Sequence, residues 1–211
     1  MPPTTKAAHP PGLEAASMDH ICVFCGSSVG ANPLYAEAAR RIGRGLAERG
    51  LGLVYGGGST GLMGTTADAC LGAGGRVVGV IPEPLTLREI THHGLTELHV
   101  VPGMHERKAL MAERASAFLT LPGGVGTFEE FFEILTWGVL GLHQKPVGLL
   151  NVAGYYDPLI HLIRHAVAER FFRPSHLDLL VVSDDPDAML DQLTRFRPPP
   201  AGPVWIDLEQ T

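Results

Sequence analysis

Leu121-Pro122-Gly123-Gly124-Val125-Gly126-Thr127-Phe128-Glu129-Glu130 is the stretch on which the reading of this chain turns. An apolar run over residues 115–121 stops at Pro-Gly-Gly, and apolar residues then recur with helical spacing over 128–142. The pattern predicts a strand, a tight glycine turn and a helix. Glycines let the backbone approach a ligand, and free N–H groups at a helix start favour an anion. Glu129 and Glu130 fall in the predicted first turn, which puts acids beside a phosphate cradle. The same letters carry a second meaning. Thr127-Phe128-Glu129-Glu130 also fits a Thr-x-x-Glu capping box, in which the acid serves the helix and no reaction.

Outward from this stretch, strands and helices alternate. Buried strands are predicted at 21–24, 52–55, 77–81, 97–101, 115–121, 147–150 and 179–182. Helices are predicted at 35–49, 62–71, 104–113, 128–142, 157–169 and 186–196. Near-continuous Val, Ile, Leu and Ala strands alternating with helices imply an α/β, Rossmann-like, doubly wound parallel sheet in a single domain. Residues 1–18 hold prolines and small residues without periodicity and read as a disordered leader; 19–197 form the domain; 198–211, opening on Pro198-Pro199-Pro200, read as a tail.

Composition narrows the function. With 45% hydrophobic and 18% charged residues, the 211-residue chain is long enough for a sizeable core. A net charge of −6 argues against a nucleic-acid partner but leaves room for a small anion held by local cations. No apolar run reaches membrane-spanning length and the start has no apolar signal core, so no membrane partner and a cytoplasmic location are expected. Cys22 and Cys25 have CxxC spacing inside a predicted strand, where residues three apart face opposite sides, so with Cys70 they read as buried reduced thiols. His161 and His165 lie four apart without the intervening Glu of a zinc protease, and no metal is expected.

Parallel sheets bind ligands at the C-terminal strand edge. Three such edges carry glycine turns: Gly26-Ser27-Ser28, Gly56 to Gly61, and Gly123 to Gly126. Gly56-x-Gly58-x-x-Gly61, with Glu83 beyond it, formally matches a dinucleotide fingerprint. It follows the second predicted strand instead of the first, and Glu83 is flanked by two prolines, which counts against nicotinamide binding. No Gly-Lys-Ser/Thr follows any turn, so a P-loop is excluded. Cations come from Met104-His105-Glu106-Arg107-Lys108 at a helix start. Arg107 can fork onto a phosphate and Lys108 supplies a point charge, although a solvated helix face would read the same way.

Together the early Gly-Ser-Ser turn, Tyr-Gly-Gly-Gly-x-x-Gly-Leu-Met-Gly (55–64), Met-His-x-Arg-Lys (104–108) and Pro-Gly-Gly-x-Gly-Thr-x-x-Glu (122–130) resemble the Lonely Guy family over residues 19–197. The resemblance implies a Rossmann-like homodimer that hydrolyses the N-glycosidic bond of a cytokinin riboside 5′-monophosphate or AMP. The products would be free base and ribose 5-phosphate, with no cofactor. Family members have long carried a lysine decarboxylase label. The chain has three lysines: Lys6 in the leader, Lys145 before a proline, and Lys108 beside Arg107. None is placed for a Schiff base, so decarboxylation is rejected.

The resemblance assigns Glu130 as the catalytic carboxylate at the anomeric carbon and Arg107 as a second catalytic candidate. Substrate binding is expected from Arg107, Lys108, Glu89 and Thr136, from Gly124, Val125, Gly126, Thr127, Phe128, Glu129 and Glu130, and from Gly26, Ser27, Gly58 and Ser59 at the pocket edge. Thr136 could equally bond its own helix backbone. Residues 90–95, Ile-Thr-His-His-Gly-Leu, depart from the family pattern, which bears on base specificity. Trp137, Phe131 and Phe132 fit a core or dimer face better than a base pocket. A non-catalytic nucleotide-binding or carrier protein on the same fold is the alternative.

Overall fold

A computed structural model describes residues 18–86 and 91–198. Seven strands form one sheet: β1 (His20–Phe24), β2 (Gly52–Tyr55), β3 (Val77–Pro82), β4 (Glu97–Val101), β5 (Ala117–Thr120), β6 (Val147–Leu150) and β7 (Leu180–Ser183). Their order is β4-β3-β2-β1-β5-β6-β7 and every pairing is parallel. The chain therefore steps outward from β1 to one edge, then returns to the other side of β1 with β5. That reversal opens a crevice at the C-terminal ends of β1 and β5, where doubly wound sheets hold their ligands.

Helices α1 (Pro33–Glu48), α2 (Gly61–Gly72), α4 (Met104–Arg114), α5 (Val125–Val139), α6 (Asp157–Ala168) and α7 (Pro186–Arg195) are joined by a single short turn, α3 (Glu83–Thr86). Two 3₁₀ segments, Val152–Gly154 and Pro174–Leu179, complete the described elements. The strands alternate as period two demands. Ile21, Val23, Leu53 and Leu119 pack with α1, α2 and α7, while Cys22, Phe24, Val54 and Phe118 pack with α4, α5 and α6. Cys22 and Cys25 accordingly enter opposite core layers; both are buried and free, as is Cys70.

The sequence places the strands and six long helices to within a few residues, with one consequential difference. The helix expected at 128–142 begins at Val125 and ends at Val139. Gly124 is its N-cap and offers no side chain to cap it; Thr127 is the third helical residue. The capping box therefore does not form, and Glu129 and Glu130 sit in the second turn, not the first. Most of the expected leader and of the tail lies outside the described residues, as does Glu89; Met18, the last leader residue, packs partly buried against the core. No described helix is long and apolar enough to cross a membrane.

Candidate active site

The three glycine turns meet at the β1–β5 crevice. Gly26 N–H donates to Pro122 O at 3.0 Å and Leu62 N–H donates to Gly26 O at 2.9 Å, which ties the β1, β2 and β5 turns together. Gly26 thus contributes structure, since both its backbone groups are engaged inside the protein. Around it lies a cleft of about 230 Å³ whose lining includes Ser27, Ser28, Tyr35, Gly123, Gly124 and Tyr155. Ser27 is exposed there. Gly58 is buried and bridges to Thr91 in antiparallel fashion, and His92 N–H donates to Gly57 O at 3.1 Å. Ser59, half-buried, follows at the start of the turn into α2.

At the β5 turn the backbone is presented to solvent. Phe128 N–H to Gly124 O, 3.1 Å, is the bond that opens α5, so the amides of Val125, Gly126 and Thr127 have no intrahelical partner. Gly124, Val125 and Gly126 are exposed, and a Cβ built on either glycine would meet no protein atom within 4 Å. The protein's own packing does not select glycine at these two positions. Gly123 differs: a Cβ there would overlap the Thr127 hydroxyl, and Thr127 itself is buried. Unpaired amides at the positive end of a helix are suited to a phosphate. Phe128, half-buried, faces Tyr156 edge-on at 6.3 Å.

Arg107 approaches from α4 and is almost wholly buried. One Nη donates to Gly56 O at 3.3 Å and the other to Met104 Sδ at 3.7 Å. A Cβ on Gly56 would coincide with the guanidinium, so this glycine is the seat of an arginine and not part of a dinucleotide turn. Arg107 Nε is buried without a partner among the described residues, an unsatisfied donor inside the crevice.

Glu130 enters the same region from α5. Burial pushes its carboxyl up to about 7, Arg107 pulling the other way, Glu129 and Glu133 pushing further and Lys108 opposing. Near neutral pH the group is close to half-protonated, which suits an acid or base in proton transfer. Arg107 acts on it through space; among the described residues no ion pair joins the two. Lys108 Nζ donates to Glu129 Oε1 at 2.6 Å and to Glu133 Oε1 at 2.9 Å. Burial pulls the Lys108 amine down, but these two carboxylates outweigh it and leave it above its usual value.

Arg107, Lys108, Glu129 and Glu130 are therefore brought together with the amides of residues 125–127. Thr136 is not. Its hydroxyl donates to Phe132 O at 2.6 Å, and it lies about 14 Å along the helix axis from Thr127 at 1.5 Å per residue. Three contributors were missed in the sequence. Glu133 carries no motif in the sequence that marks it as a partner of Lys108. Tyr155 donates to Gly123 O and Tyr156 to Leu121 O at 2.6 Å, so consecutive tyrosines brace the β5 turn from a segment some thirty residues away. Their sole sequence signal is the pair itself, between Gly154 and Asp157-Pro158. Among the described residues no cluster of three His, Cys, Asp or Glu is arranged to hold a metal.

Fold and site define a Rossmann-like α/β protein whose α5 opens with amides that have no intrahelical partner, with the buried Arg107 and the half-buried Glu130 near its switch point. Residues 63–193 match the family model described as possible lysine decarboxylase. A cytokinin riboside 5′-monophosphate phosphoribohydrolase of Rhodococcoides fascians is 52% identical over 186 residues, 88% of this chain and 92% of that one. One from Arabidopsis thaliana is 50% identical over 178 residues, 84% of this chain and 82% of that one. The chain belongs to this family, the Lonely Guy family.

Among solved structures, a molybdenum cofactor carrier protein of Chlamydomonas reinhardtii superposes with a TM-score of 0.62 at 21% identity, covering 83% of this chain and 98% of that one. The molybdenum cofactor binding protein of Rippkaea orientalis gives 0.63 at 19% identity, covering 84% and 96%. These share the fold. The decarboxylase description finds no support at the described lysines: Lys108 is held by two carboxylates, and Lys145 donates to Ala112 O at 2.8 Å just before β6, at the opposite end of the sheet.

Proposed function

We propose that this chain hydrolyses the N-glycosidic bond of a nucleoside 5′-monophosphate, a cytokinin riboside 5′-monophosphate or AMP, releasing free base and ribose 5-phosphate. The observation that carries the reading is Glu130, a half-buried carboxyl that desolvation pushes up to about 7, under the influence of the buried Arg107 and a turn away from helix amides without intrahelical partners. The amides of Val125, Gly126 and Thr127 take the 5′-phosphate, which fixes the ribose relative to α5. Cleavage passes through an oxocarbenium-like state. Ionised Glu130 stabilises that charge and accepts a proton from the attacking water, while Arg107 orients the phosphoribosyl group. Ser27 borders the pocket.

The assembly belongs to the same proposal. Phe132 (39% exposed) and Leu162 (57%) flank an apolar groove of about 410 Å³ between α5 and α6, with Phe171, 89% exposed, just beyond α6. A second copy of the chain covers this face, and Thr136, which lines it, would reach substrate across the interface. Light scattering should give a dimer; a monomer at micromolar concentration overturns this part. Three free buried thiols fit a reducing cytoplasm.

The decisive experiment incubates metal-free protein with AMP or isopentenyladenosine monophosphate and follows free base by chromatography, beside Glu130→Gln. Wild-type release should fall by about 10³-fold in the variant, within the 10²–10⁴ range for a lost acid–base. Nucleotide binding without release from the wild type would support the carrier reading instead.

A further inference from the structure

Lys108 is the link between α4 and α5. Its side chain is 11% exposed, so its ammonium relies on carboxylates and little on bulk water. Glu129, 52% exposed, supplies one at 2.6 Å, and Glu133, 24% exposed, supplies the other at 2.9 Å. The two acids are one helical turn apart, on either side of Glu130 in sequence, and Lys108 adjoins Arg107. The Lys108 contact between α4 and α5 is therefore made next to Arg107 on one helix, and one residue before and three residues after Glu130 on the other.

We propose that Glu133 is a positioning residue: through Lys108 it fixes α4 against α5, so that Arg107 and Glu130 face one pocket in a defined charge environment. This rests on Glu130 being the acid–base of the proposed reaction. The charged and titratable groups acting on Glu130 are Arg107 and Lys108 from α4, Glu129 and Glu133 from its own helix, and Cys22 and Cys25 from β1 and the residue after it. Burial pushes both thiols up, so they stay neutral. Glu129 and Glu133 favour the protonated acid, whereas Arg107 and Lys108 favour the anion.

Glu133→Gln and Lys108→Met break the same clamp but change the charge beside Glu130 in opposite senses. With AMP as substrate, Glu133→Gln should lower kcat by roughly 10- to 100-fold through misalignment, with a smaller change in KM. Its acid limb should move to lower pH, and that of Lys108→Met to higher pH. Glu133→Asp should recover part of kcat. The same opposed displacements should appear in the ¹³C carboxyl titration of Glu130, assigned by its loss in Glu130→Gln, a measurement that needs no turnover.

Active wild type with coincident titrations in both variants, or displacements of the same sign, overturns the role given to Glu133 and leaves the hydrolase reading standing. Opposed displacements in a protein that releases no base show the clamp and remove the hydrolase reading. A Glu133→Gln variant that folds, titrates as expected and keeps full kcat removes the positioning role.

Discussion

At the contact of α1 with α7, Arg41 reaches Asp185 at 2.8 Å and Asp187 at 2.6 Å; at the contact of α4 with α5, Lys108 reaches Glu129 at 2.6 Å and Glu133 at 2.9 Å. The geometry is nearly the same: one cation across two carboxylates, joining two helices. The surroundings are not. Arg41 is 39% exposed and its acids 46% and 50%, whereas Lys108 is 11% exposed, its acids 52% and 24%, and the half-buried Glu130 lies between those acids in sequence. In water, ion pairs between exposed groups contribute at most about 1 kcal/mol. Under burial the same charges bias a proton equilibrium, because water no longer screens them. Spacing builds both clusters; the shielded cation, the less exposed Glu133 and the half-buried Glu130 between the two acids set the second apart from a simple brace.

The largest expected effect comes from removing the half-buried acid. Glu130 has its folded-state value raised from 4.5 to about 7, so between those limits the folded protein holds a proton that the unfolded chain releases. Stability contributed by this group is present below about pH 4.5 and is lost as pH rises through about 7. Glu130→Gln should therefore stabilise the protein relative to wild type at pH 8, by up to about 3 kcal/mol at about 1.4 kcal/mol per pKa unit, and by much less at pH 5. Urea melts at the two pH values test this. Equal stability changes at both would mean that the carboxyl is solvated and that the two clusters do not differ as described.

Such a gain in stability at the expense of activity is how a desolvated reactive group behaves, and the residues that reveal it were unequally legible. The Glu129-Glu130 pair and Arg107-Lys108 stand out because glycine turns and clustered cations interrupt an otherwise regular strand–helix pattern, whereas the choice of Glu130 and Arg107 as catalytic rests on the family resemblance. Their surroundings could not be read in the same way. The start of α5 is displaced because Gly124-Val125-Gly126 reads as a turn, although glycine is tolerated in a first turn whose amides are unpaired. Gly56 looks like part of a ligand-binding fingerprint and instead receives the Arg107 guanidinium, a contact made across 51 residues of sequence. Tyr155 and Tyr156 reach the β5 turn because β6 lies beside β5, which is a property of strand order and not of local pattern.

At α1–α7 the effects should be smaller and of opposite pH sense. Asp185 accepts from Ala188 N–H at 2.9 Å as the N-cap of α7, and that bond, followed by Arg41, holds its carboxyl below the usual range. Its contribution is present above its unfolded value and is lost as pH falls through the lower folded one. Asp185→Ala should cost about 1 kcal/mol at neutral pH, the typical value of a lost cap. A cost that persists undiminished at pH 2 would mean that packing, not the carboxylate, is at stake.

The smallest effect should be found at Asp191, which accepts from Arg49 at 2.9 Å on the same surface, the two side chains 46% and 26% exposed. Unlike Asp185 it caps nothing, so Asp191→Asn removes only exposed ion pairs, to Arg49 and, at 3.9 Å, to Arg195. A loss of about 0.5 kcal/mol is expected at low ionic strength. It should fade near 1 M salt, where the screening length is about 3 Å. Lys108 and its carboxylates give the contrasting case: less screened, their coupling to Glu130 should outlast the same salt. A salt-resistant loss of 2 kcal/mol or more at Asp191 would place this pair with the buried cluster. The distinction drawn from exposure would then have to be sought in the identity of the cation, a guanidinium at α1–α7 against an ammonium at α4–α5.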